Sequence, residues 1–260
     1  GKKTIKDIKR NFYKDISPHF GTTLLSDIES PALLIWFQTL TKRTPGGANH
    51  CLSILKSLYT QGMRLGICKH NPCLPIKKNP DNERTRSFSD DELLRFRMAL
   101  KDVERRSIWA WSFIMLSFLT GARKGELAKA TWGQYKDGII VLNDHKTAAK
   151  TKKQRVIYLN EIAVEVIERL PRRLDHETIL KIKDPRTAWL TMMKQANIKN
   201  FTQHDLRHHF ASTGLNLGLD LIRTASLTGH KSLNSMKRYQ RPSEKRMLQD
   251  TKLIENALSD

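Results

Sequence analysis

The sequence predicts a mainly α-helical protein with a small antiparallel β-sheet: an N-terminal helical bundle followed by an α+β domain. Three observations carry this expectation. Apolar residues recur at helical spacing through most of the 260 residues. Only Ile139–Leu142 and Val156–Leu159 are short, β-branched apolar runs, so they read as the two strands of a hairpin. From Leu74 to Arg86 the periodicity lapses into a stretch with Pro75, Pro80 and several basic residues, which reads as a linker. The expected boundaries are a helical domain over 1–75, a linker over 76–86 and an α+β domain over 87–260.

Taken in order, Ile5, Ile8, Phe12 and Ile16 have helical spacing, and Ser26-Asp27 interrupts the pattern. Ser30-Pro31 opens the next helix, because proline is tolerated in a first turn. Leu33, Leu34, Trp36, Phe37 and Leu40 give it a core face. After the basic turn Lys42–Gly47, a helix over Ala48–Gly62 carries Cys51, Ile54, Leu55 and Leu58 on one stripe. Gly66 and Asn71-Pro72 then act as stop signals. Ser89 is an expected N-cap with Glu92 three residues on, the reciprocal pattern of a capping box. Trp109–Thr120 is apolar throughout and reads as a buried helix. Two amphipathic helices follow over 161–171 and 184–195, the second with Trp189, Leu190 and Met193 turned inward.

Composition narrows the function. The formal charge is +20, from 46 Lys and Arg against 26 Asp and Glu, and points to a polyanionic partner. No lipidation signal or long apolar span suggests a membrane. Cys51, Cys68 and Cys73 are few and odd in number, as expected of free thiols in a reducing cytoplasm. The Cys68–Cys73 spacing lacks a second ligand pair, so no metal is expected. The chain opens Gly1-Lys2-Lys3 without an initiator Met, which suggests a further N-terminal segment.

Candidate chemistry lies in three places. The first is Thr120-Gly121-Ala122-Arg123-Lys124-Gly125-Glu126-Leu127, where Glu126 either holds the Arg123 guanidinium or caps a helix. The second is the basic loop between the strands, with Lys146-Thr147, Lys150, Lys152, Lys153 and Arg155. The third joins His204-Asp205-Leu206-Arg207 to Gly229-His230 and, nine residues after that histidine, Tyr239. His204 and Arg207 share one helix face. Arginine offers a planar fork to a phosphate, histidine exchanges protons near neutral pH, and tyrosine is an oxygen nucleophile.

T-G-x-R-x-x-E-L, a lysine between two strands, H-x-x-R, G-H and the late tyrosine together resemble the tyrosine recombinase (phage integrase) family. The resemblance covers the whole chain and is most specific over 120–239. It implies a recombinase catalytic domain preceded by a core-binding domain. Arg123, Lys146, His204, Arg207, His230 and Tyr239 would be the catalytic set, with Tyr239 the nucleophile and Lys150 the alternative to Lys146. His208 would brace the helix. Lys42, Arg43 and Asn49, with Lys150, Lys152 and Lys153, would meet DNA.

Double-stranded DNA is therefore the implied partner. A tetramer of copies on paired sites is implied too, with room for an accessory excision or DNA-bending protein. No cofactor is required, because the arginines neutralise the charge that a metal otherwise would. Residues 243–258 read as a last helix, with Met247, Leu248, Ile254 and Leu258 as apolar points, which in the family often docks on a neighbouring subunit. Two other readings share parts of the pattern: a type IB topoisomerase, and a DNA-binding regulator without chemistry.

Overall fold

The structure is a computed structural model that describes residues 2–80, 86–142, 154–230, 236, 247–248, 251–252 and 254–255. The chain divides into two compact units, 1–82 and 83–260.

In the first unit, α1 (Lys2–Asn11) runs through a π-helical turn at Phe12–Ile16 into the short α2 (Ser17–Phe20). Then come α3 (Ser30–Arg43) and α4 (Pro45–Arg64), each with Pro in its first turn, packed against each other. Leu33, Trp36, Phe37 and Leu40 from α3 meet Cys51, Leu52, Leu55 and Tyr59 from α4 in one apolar cluster. Leu34 and Leu58 are exposed, contrary to the expectation, because each lies just off the inward stripe. Ile5 and Ile8 also face solvent. The three cysteines are buried thiols, and burial pushes Cys51 and Cys73 up to about 11.

Ile76 and Asn79, inside the stretch read as linker, are fastened to this unit. Ile76 is buried in the cluster, and its carbonyl accepts from Lys56 Nζ at 3.0 Å. Asn49, expected to meet DNA, is held within this unit. It is 8% exposed, and its side chain pairs both ways with the Asn79 backbone, accepting at 2.8 Å and donating at 2.9 Å. Its amide holds the exit of the chain at Asn79.

In the second unit, α5 (Asp90–Arg106) begins with the expected capping box, Ser89 with Glu92. The following α6 (Ile108–Thr120) is apolar on every side, as a helix enclosed by others must be, and packs against α5. It ends at Gly121, which has φ +60°, and the short α7 (Lys124–Leu127) follows. A Cβ on Gly121 would lie 2.8 Å from the Phe210 ring, so both conformation and space demand glycine.

Among the described residues the sheet has three strands in the order β1 (Tyr135–Lys136), β2 (Ile139–Leu142), β3 (Arg155–Tyr158), all antiparallel. The extra strand β1 joins β2 through Asp137-Gly138, both with positive φ (50° and 73°), which is a tight hairpin turn. Next come α8 (Glu161–Glu168), α9 (Arg186–Gln195), α10 (Asp205–Asn216) and α11 (Leu221–Thr228). Trp189 and Met193 of α9 are buried, but Leu190 is exposed, contrary to expectation, and lines the rim of a pocket. Both α8 and α10 pack on α6. No helix among the described residues is long and apolar enough to cross a membrane.

His209 of α10 sits in an aromatic box. It stacks on Phe118 at 5.8 Å and meets the Phe88 ring edge-on at 5.2 Å. Its Nδ1 is buried with no partner among the described residues. Burial first, and the Arg97 charge second, push its pKa down. The unfolded chain therefore takes up a proton on this ring before the folded one does. Stability should be full above the ordinary value of about 6.5 and fall as pH drops through it. Urea unfolding midpoints at about pH 7.5 and 5.5, which bracket that value, should separate for the native chain and converge in His209→Phe. Equal separation in both would refute this assignment.

Candidate active site

The site forms where α11 ends. Gly229 takes φ +69° and lets the chain reverse in a Schellman turn. In that turn His230 N donates to the Ala225 carbonyl at 2.8 Å, and Gly229 N donates to Ser226 at 3.2 Å. Carbonyls in the last turn of a helix lack partners within it and carry its negative dipole end, so they attract cations. Three arginines answer, from elements far apart in the chain. Arg155 donates to Ser226 at 3.1 Å and to Leu227 at 2.9 Å. Arg207 donates to Thr228, and Arg123 donates to Gly229 at 3.0 Å.

Arg123 stands at the N-cap of α7, half-buried. Its guanidinium donates to Glu126 Oε1 at 2.7 Å, and its backbone N–H donates to Oε2 at 3.0 Å. Both alternatives posed for Glu126 therefore hold at once. Burial works to raise the Glu126 carboxyl, but the Arg123 backbone bond and the Arg155 and Arg123 charges outweigh it, and the net shift is down. Arg207 is 3% exposed and also donates to the Gly121 carbonyl at 2.8 Å, which ties α10 to the end of α6.

His204 is the N-cap residue of α10 and is exposed. The Arg207 N–H donates to the His204 carbonyl at 3.1 Å, which keeps the two on one turn. Buried His208 meets the His204 ring edge-on at 4.9 Å and braces it. Asp205 serves the local backbone: it accepts from Thr202 N at 2.6 Å and from Thr202 Oγ1 at 2.8 Å. His230 Nδ1 lies 2.6 Å from Thr228 Oγ1, which orients its ring. His204 and Arg207 line an open pocket of about 420 Å³ that also receives Lys124, Arg186 and Gln203.

Four of the six expected catalytic residues, Arg123, His204, Arg207 and His230, thus lie on the elements that meet at α11. Lys146 and Tyr239 lie outside the described residues, as do Lys150, Lys152 and Lys153. Lys42 and Arg43 are exposed in the first unit, where Arg43 pairs with Asp15. Met247, Leu248 and Ile254, in the expected last helix, are exposed, and Leu258 is outside the described residues.

Sequence reading grouped Arg155 with the lysines of the basic loop, whereas it opens β3. Its signal is strand parity: Arg155 is two residues before buried Ile157 and pairs with buried Leu142, so it faces the core.

Fold and site together define a mainly helical domain that gathers guanidinium and imidazole groups at one helix end. The sequence model described as the phage integrase family matches residues 86–246, and the chain belongs to that family. It is 25% identical to a shufflon-specific DNA recombinase of Escherichia coli, over 72% of this chain and 49% of that protein. It is 22% identical to the ICEBs1 integrase of Bacillus subtilis, over 72% of this chain and 59% of the relative. The chain thus spans about half the length of the first of these relatives.

Among solved structures, a lambda integrase dimer bound to a core site superposes with a TM-score of 0.73. The identity is 19%, with 94% of this chain and 90% of that one covered. The Tn1549 transposon integrase with circular intermediate DNA gives 0.70 at 14% identity, covering 96% and 92%. These likenesses establish the fold.

Proposed function

We propose that this chain is the DNA-cleaving and rejoining part of a site-specific recombinase that integrates or excises a mobile element. Tyr239 Oη attacks a backbone phosphorus in line. The new bond joins tyrosine oxygen to phosphorus, and the bond from phosphorus to the 5′ oxygen breaks. His204 takes the phenol proton, and Lys146 gives a proton to the departing 5′ oxygen. The 3′-phosphotyrosyl ester keeps the energy of the broken ester. A 5′-hydroxyl from another strand then reverses the step, so no nucleotide cofactor is consumed. Arg123, Arg207 and His230 stabilise the charge that builds on the phosphoryl oxygens. The first unit, with Lys42 and Arg43, grips the duplex together with the second. Copies assemble as a tetramer on paired sites in the bacterial cytoplasm, at the nucleoid.

One observation carries the reading: Arg123 and Arg207 bond to the adjacent carbonyls of Gly229 and Thr228, beside His230. This nearness supports a reading in which the three donors meet a single phosphate. The lambda and Tn1549 integrases that share this fold were solved bound to DNA, and lambda integrase was also solved as a tetramer on a Holliday junction, which supports the reading. Met236, three residues before Tyr239 in sequence, is fully buried against Ala211 and Ala225.

The test is covalent trapping. Duplexes from the DNA flanking the element, nicked so that the released strand diffuses away, should yield an SDS-resistant protein–DNA adduct at one phosphate. Failure to trap any flanking duplex would sink the reading. Relaxation of a plasmid with no specific site, without strand exchange, would favour a topoisomerase instead.

A further inference from the structure

We propose that Arg155 is a positioning residue for the Arg123–His230 corner, acting through the end of α11 and the carboxylate of Glu126. The inference rests on the functional reading above. Arg155 is not in the motif set, and both of its terminal nitrogens already donate to protein carbonyls.

Its donors go inward. One terminal nitrogen donates to its neighbour's carbonyl, Val156, at 2.6 Å and to Ser226 at 3.1 Å, and the other donates to Leu227 at 2.9 Å. Nε lies 3.6 Å from Glu126 Oε2. A guanidinium buried this deeply loses its hydration, so the site must supply compensating partners. Here those partners are the helix end that sets His230 and the carboxylate that holds Arg123. The backbone is pressed close as well: a Cβ on Gly229 would lie 2.5 Å from Arg155 Nε.

One side chain therefore bridges β3, α7 and α11. If it is lost, the two carbonyls lose their cation and Glu126 is left with Arg123 alone. The Arg123 fork is then free to turn further toward the carboxylate and away from the Gly229 corner.

Arg155→Met keeps length and apolar bulk while removing charge and donors. The assay uses a nicked duplex carrying the sequence trapped by the native chain, with either an ordinary phosphate or a neutral methylphosphonate at the cleavage position. Arg155→Met should bind the duplex like the native chain but form adduct about 100-fold more slowly, the loss typical of a displaced catalytic group. On the methylphosphonate, where Arg123 has less charge to neutralise, the loss should be about tenfold smaller. An unchanged rate, or the same loss on both substrates, would overturn the proposal, because merely structural damage does not distinguish the phosphates. Should Arg155→Met fail to fold, Arg155→Lys carries the same comparison: it keeps a charge near Glu126 but cannot span both carbonyls. The native chain is the control for the underlying reading. If it forms no adduct that reading fails, whereas a native adduct with an equal Arg155→Met loss on both phosphates sinks only the role of Arg155.

Discussion

Tyr239→Phe is expected to bind the trapped duplex as the native chain does and to form no covalent adduct at all. The change removes one oxygen and keeps the ring, so shape is preserved while the proposed nucleophile disappears. A phenol with an ordinary pKa of about 10 is a poor nucleophile at neutral pH, and cations around the phosphate are what make it effective. Two of the described tyrosines are poor alternatives. Tyr59 is buried, and its hydroxyl donates to the Leu25 carbonyl at 3.0 Å; burial pushes its pKa to about 12. Tyr135 is also shifted upward, by burial first. Tyr158 on β3 is exposed and is the fair control. Labelled duplex run on a denaturing gel should show an adduct with Tyr158→Phe and none with Tyr239→Phe. The reverse pattern would move the nucleophile to β3.

Much of this was legible in the sequence, for reasons that differ between elements. The α6 helix could be read because thirteen residues with so few polar groups have only an interior to occupy. The α5 start could be read because Ser89 and Glu92 satisfy each other's backbone locally, without help from distant residues. Arg123, His204, Arg207 and His230 could be read because their spacing forms a joint pattern. What escaped depended on contacts between distant segments. Leu34, Leu58 and Leu190 look inward by periodicity, yet only the neighbouring helices decide where an apolar stripe ends. The pairing of the Asn49 amide with the Asn79 backbone depends on the return of Asn79 across the helix, which no local pattern shows. The two-residue β1 is too short for any pattern. Arg155 was hidden by the lysines before it, which made one basic loop out of a loop and an inward-facing strand residue.

Arg207→Ala should damage stability and chemistry together, and Arg207→Lys should separate the two. The alanine variant leaves the Gly121 and Thr228 carbonyls without the guanidinium that bridges α6 to α11. Each buried acceptor deprived of its partner costs about 1–3 kcal/mol, so a loss of roughly 2–4 kcal/mol in urea unfolding is expected. A domain stable by about 5–15 kcal/mol survives that, so its chemistry can still be measured. Adduct formation should fall about 100- to 1,000-fold, the effect of removing one preorganised donor from a developing oxyanion. Lysine retains a charge and can reach one carbonyl, so part of the stability should return. It cannot present a planar fork to a carbonyl and a phosphate oxygen together, so the rate should stay low. If Arg207 were only a structural strut, rate would track stability across the native, lysine and alanine forms. A lysine variant that regains stability and full rate in parallel would remove Arg207 from the chemistry and leave it as the pin between two helices.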